Sequence, residues 1–211
     1  MGNFSRFFIE RPIFASVLSI VILIAGLVLF LGIHSVRIVA DDFRTARVAQ
    51  WGIGPWKLLY TLVSFAGLGL IIWGYSQARA EPVVVWNPPR GMNHLAALLM
   101  IPSFVLVVAG NLPGTKLKAA LGHPMVIGVK LWAFAHLLAN GMLADVVLFG
   151  AFLAWAVVDL VSLRRRDRAE GKSYAGGSLA RDALAVAIGL VAWVVFGFWL
   201  HGWLFGVRPF G

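Results

Sequence analysis

Residues 122–141 read GHPMVIGVKLWAFAHLLANG. The stretch is mostly apolar and close to the roughly 20 helical residues that cross a bilayer core of about 30 Å. It also carries His123, Lys130, His136 and Asn140. Ionisable groups inside a membrane are costly and seldom idle. The stretch therefore poses both the fold and the chemistry of the chain.

The surrounding sequence has the same character. Of its 211 residues, 60% are hydrophobic and only 13% are charged. Soluble domains are about half apolar and about a quarter charged. Six apolar runs stand out, at about 12–36, 56–75, 94–110, 124–140, 143–163 and 182–205. They are continuous rather than alternating, which argues for helices and against a barrel. The predicted fold is all-α, a membrane bundle of about six transmembrane helices. Pro55 suits the start of the second span, Pro102 is expected to kink the third, and Gly141 is expected to cap the fourth. Gly67 and Gly74 in GLGLIIWG share one helix face, which predicts close helix packing. The nine tryptophans mostly sit near span ends, as an aromatic belt would. Asp41 and Asp42 are expected to cap a short segment after the first span.

There is no cysteine, so disulfides and thiolate ligation are excluded. The net charge is +9. The basic residues flank the spans, so they set topology and meet anionic lipid head groups; nucleic acid is not an expected partner. Arg6, Arg11, Arg79, Arg90 and Arg208 lie on the side of the N-terminus. Twelve others lie on the opposite side, among them Arg37, Arg44, Arg47, Lys57, Lys116, Lys118 and the run around Arg164–Arg168. The positive-inside rule makes that second side cytoplasmic and both termini external.

This path sorts the histidines. His34 and His123 fall at the cytoplasmic level, and His94, His136 and His201 at the outer level. His123 and His136 are thirteen residues apart, roughly 20 Å along one helix, so they cannot share an ion. His34 and His123 match in depth on different helices. Such a pair suits the two axial positions of a haem, a share in a proton relay with Asp145 or Asp159, or plain hydrogen bonding at the interface. Zinc usually takes three or four ligands, which the outer three histidines would have to supply. Lys130 lies seven residues after His123, near the same face. It either meets an anionic group, a haem propionate or an aspartate, or snorkels.

Several segments carry a family resemblance: LVLFLGIHSVRI (27–38), PWKLLY (55–60), HLAALLM (94–100), ALGHPMVIGVKLWAFAHLLANG (120–141), LFGAFLAWAVVD (148–159) and FWLHGW (198–203). Together they resemble the NnrU family of bacterial membrane proteins over about residues 27–211. That family takes its name from a link to nitrite and nitric oxide reduction in denitrifying bacteria. It is also similar to 15-cis-zeta-carotene isomerase, which uses a histidine-held b-type haem to isomerise a cis double bond. The resemblance implies a bacterial inner membrane location, haem b as cofactor, and His34 and His123 as its iron ligands. Lys130 and Arg37 are then the residues for the propionates. It leaves open electron transfer or sensing with a redox or reductase partner, isomerisation of a polyene, and a haem-free accessory role beside a reductase. Residues 7–27, FFIERPIFASVLSIVILIAGL, resemble the first segment of a resistance-nodulation-division efflux pump. Residues 1–26 thus read as a leader and 27–211 as the NnrU-like domain. Those pumps begin in the cytoplasm, which opposes the loop charges.

Overall fold

The computed structural model describes residues 12–174 and 176–210. They are almost entirely helical, with two isolated β-bridges and no longer strand among them. Residues 7–11 of the pump-like segment lie outside the described range; from Pro12 onward it is part of the first helix.

The helices are α1 (Pro12–Val39), α2 (Asp41–Trp51), α3 (Ile53–Ala78), α4 (Met92–Asn111), α5 (Lys116–Leu121), α6 (Pro124–Ala139), α7 (Leu143–Ala169), α8 (Leu179–Val195) and α9 (His201–Phe205). A five-residue π-helical stretch, Phe196–Leu200, joins the last two. Among the described residues five spans are long and apolar enough to cross a membrane: Phe14–Val39, Ile53–Ala78, Met92–Asn111, Leu143–Ala169 and Leu179–Phe205. The sixth expected span, α6, has 16 residues. At 1.5 Å per residue it reaches only about 24 Å, short of a full bilayer core. Large apolar side chains point outward, Phe65 being 67% exposed and Trp203 80%. Facing lipid, that surface costs nothing.

The chain forms two compact units, residues 1–86 with 142–151, and residues 87–141 with 152–211. In the first unit α1 and α3 pack backbone to backbone, as the glycine face predicts. A Cβ at Gly74 would sit 2.5 Å from the Leu23 nitrogen, and one at Gly67 2.7 Å from the Phe30 nitrogen. Gly26 on α1 answers them, 2.6 Å from the Ile71 nitrogen by the same construction. Between these helices α2 buries none of its residues. Its Arg47 guanidinium lies 5.1 Å over the Phe43 ring and 5.6 Å over Trp51. The expected aspartate cap is not made: Ala40 is the N-cap and no side chain caps it. Asp41 and Asp42 occupy the first turn instead, where carboxylates offset the helix dipole.

The start of α7 closes the first unit. Asp145 is 6% exposed. One of its oxygens accepts the Met142 backbone N–H at 3.2 Å and the other accepts the Tyr75 hydroxyl at 2.5 Å.

In the second unit α4 is central. The Ser103 hydroxyl donates to the Gly128 carbonyl at 2.8 Å, stitching α4 to α6 beside Pro102. Gly189 brings α8 onto Val105, and the Trp193 indole donates to the Ala97 carbonyl at 3.0 Å. Gly141 does not adopt the left-handed cap conformation expected of it. The Asn140 side-chain amide donates to the His136 carbonyl at 2.8 Å and ends α6 in its place.

Candidate functional site

The residues singled out by sequence fall in both units: His34 and Arg37 in the first, His123 and Lys130 in the second.

His34 lies on α1, one turn after Phe30. Its Nδ1 is 2.6 Å from the Phe30 carbonyl oxygen, which can only accept, so Nδ1 carries the proton. The ring stacks on Phe30 at 4.3 Å and meets Tyr60 of α3 at 5.0 Å. Three residues on, the Arg37 Nε is 3.5 Å from Asp41, both side chains about half exposed. Such an exposed pair is weak.

His123 precedes α6. Gly122 turns the chain there with φ +73°, a value glycine adopts without strain. A Cβ at Gly122 would lie 3.1 Å from the Tyr174 ring. Pro124 opens the helix as its first residue. The His123 Nε2 is 2.7 Å from Asp167 Oδ2 and 3.1 Å from the Tyr174 hydroxyl. Tyr174 donates to the same Asp167 oxygen at 2.7 Å. The Lys172 ammonium approaches the other carboxylate oxygen at 3.6 Å and lies 5.0 Å over the Tyr174 ring. Burial, and then the hydrogen bond to Asp167, push the Tyr174 phenol above its usual range. It therefore remains a donor at neutral pH.

A carboxylate beside Nε2 is satisfied only if that nitrogen carries a proton. His34 donates through the other ring nitrogen, Nδ1, to a backbone carbonyl. Iron-binding histidines commonly donate their other N–H to a carboxylate or a backbone carbonyl. His34 is anchored through Nδ1, as a haem-ligating imidazole is, whereas on His123 the Nε2 that would reach an iron is engaged by Asp167 and Tyr174.

Lys130 is half-buried on α6. The outer-level histidines bond locally instead. His136 Nδ1 is 2.8 Å from the Trp132 carbonyl, His201 Nδ1 is 2.7 Å from that of Val207, and His94 is exposed. Among the described residues no three His, Asp or Glu side chains gather to hold a metal ion.

Sequence reading missed Asp167, Lys172 and Tyr174. Asp167 was hidden in the run RRRDR, where charge reads as topology. Nothing local ties it to a histidine 44 residues away.

No curated protein and no solved structure matches the chain. The family of the NnrU protein matches residues 22–209, most of the sequence, and the match begins inside α1. An all-α membrane protein with these motifs, matched over nearly its whole length, belongs to the NnrU family.

Proposed function

We propose that the chain binds one b-type haem and serves nitrite and nitric oxide metabolism by electron transfer or sensing, beside a redox or reductase partner. His34 and His123 would hold its iron, and Lys130 and Arg37 would meet its carboxylates. The observation that supports this reading is the anchoring of His34 through Nδ1 to the Phe30 carbonyl. Bound haem would supply a one-electron iron couple. The chain's own part is to hold the imidazoles and to keep water from the iron with aromatic and apolar walls such as Phe30 and Tyr60.

The test is the visible spectrum of detergent-purified protein, oxidised and then reduced with dithionite. Wild type is expected to show a Soret band and sharp reduced α and β bands, and H34A and H123A to lose them. A colourless wild type grown with haem supplied overturns the reading in favour of a haem-free accessory protein.

A second reading, a haem-dependent isomerase of a polyene, draws support from a groove of about 550 Å³ in the second unit. It is lined by Phe104 and by apolar residues of α8 and the π-helical stretch, including Ile188, Val191 and Phe196. Carbon monoxide added to the reduced protein separates the two. A fixed six-coordinate carrier keeps its spectrum, whereas a haem with a displaceable ligand shifts.

We place the chain in the bacterial inner membrane with periplasmic termini, on the twelve-to-five loop charge and counting the short α6 as a sixth crossing. The cysteine-free sequence makes this simple to check. An impermeant maleimide added to intact spheroplasts is expected to label Glu81→Cys and to spare Ser173→Cys, both exposed positions. The reverse pattern would invert the topology.

A further inference from the structure

The short helix α2 lies between two membrane spans and belongs to neither. α1 ends at Val39 and α3 begins at Ile53. Ala40 breaks the helix on one side, and Gly52, with φ +85°, breaks it on the other. Apolar spans that leave and re-enter the bilayer at these two points put α2 at the level of the lipid head groups. None of its residues is buried. Large apolar side chains nevertheless stand open there. Val39 is 80% exposed and Phe43 50%, with Trp51 and Ile53 close to half. The packing of α1 on α3 leaves them uncovered.

The helix has two unlike faces. Phe43, Arg47 and Trp51 follow at intervals of four and share one face, with Arg44 beside them. Asp42, Thr45 and Ala49 fall on the opposite face and are exposed. The Arg47 guanidinium lies 5.1 Å over the Phe43 ring and 5.6 Å over Trp51. Its Nη1 donates to Gln50 Oε1 at 2.6 Å, which uses one of its five N–H donors. The rings and the glutamine thus hold a planar cation whose fork matches a phosphate. From residue 37 to 57, Arg37, Arg44, Arg47 and Lys57 outnumber Asp41 and Asp42. A helix of low overall hydrophobicity with aromatic and basic residues together suits the plane of a membrane surface.

We propose that α2 is an interfacial helix that binds anionic phospholipid. Phe43 and Trp51 enter the head-group layer, and Arg44 and Arg47 pair with lipid phosphates. The absence of cysteine allows a direct test on the full-length chain in nanodiscs. A spin label is placed at each of residues 42–51 in turn. Oxygen is expected to reach the labels at 43, 47 and 51 better than a nickel chelate does, and the reverse is expected at 42, 45 and 49. Equal access of nickel to all ten would show a solvated helix and overturn the proposal. Shielding of 43, 47 and 51 from both reagents would show a protein partner and overturn it too. A benzophenone on Ala46→Cys, in equal phosphatidylcholine and phosphatidylglycerol, then identifies the lipid. Phosphatidylglycerol is expected to be crosslinked about five-fold over its share, the effect of one arginine near the surface. R44Q/R47Q should abolish that preference and R44K/R47K should keep it, which separates lost charge from a damaged fold. Equal yields of the two lipids with both arginines intact would overturn the anionic partner.

Discussion

Replacing Gly74 by leucine will leave little folded protein, and replacing it by alanine will lower the melting temperature clearly. The cause is the contact between α1 and α3. A Cβ at this position would meet the Leu23 nitrogen at 2.5 Å, the Leu23 Cα at 2.9 Å and the Ser19 carbonyl oxygen at 2.9 Å. These are backbone atoms and cannot swing aside as a flexible side chain would. The two helices must part, and they are the main packed pair of the first unit. In a membrane this matters doubly. Helix association there rests on close van der Waals contact, because lipid is as apolar as the helices themselves. Overpacking by one methyl typically costs about 1–3 kcal/mol, and a leucine brings three more carbons to the same place. Gly69 on the same helix is the control, since a Cβ there would touch nothing within 4 Å. Gly69→Ala should be neutral or slightly stabilising, because alanine favours helix over glycine by roughly 0.5–1 kcal/mol. Melting the three variants in detergent is the check. Equal melting temperatures for Gly74→Ala and Gly69→Ala would refute the backbone contact.

The second large effect is expected at Asp145. Its carboxyl is 6% exposed and joins two elements, taking the Tyr75 hydroxyl from α3 and the Met142 N–H from the start of α7. Asp145→Ala removes both acceptors and takes this partner from the part-buried Tyr75 hydroxyl. A buried polar group left without a partner costs about 1–3 kcal/mol, and the lost turn at the α7 start adds about 1 kcal/mol, the scale of a helix cap. Tyr75→Phe removes the donor alone and should cost about 1.5–3 kcal/mol, as a hydrogen bond to a charged group does. The double variant should cost less than the sum of the two, because each single change already breaks the shared bond. Simple additivity in denaturant or thermal unfolding would show that the two side chains do not interact.

Much of the architecture is a local property of this sequence. Continuous apolar runs of about 20 residues must become helices in lipid, since every backbone N–H and C=O has to be satisfied within the segment. The six runs, the glycine face of α3 and the proline opening α6 follow from patterns a few residues wide. The family was legible for the same reason, being carried by short motifs around His34 and His123. The helix ends were less so. Aspartates after the first span read as caps, yet the chain enters α2 through Ala40. Gly141 read as a cap, yet Asn140 does that work. Many groups can satisfy an end, and packing chooses among them. The π-helical stretch at Phe196–Leu200 has no distinct pattern and reads as plain helix.

The sequence by itself determined the membrane class, the approximate spans and the histidines that merit attention. Only the tertiary structure decided what those histidines touch. Apolar patterning ends α7 near Leu163, but the helix runs on to Ala169 and carries Asp167 with it. The chain then reverses at Gly171, where φ is +58°, and brings Lys172 and Tyr174 back to the same place. Hydrophobicity is summed along a segment and can be read in order. A hydrogen bond between residues 123 and 167 depends on where two separate segments end in space, and no local pattern encodes that distance.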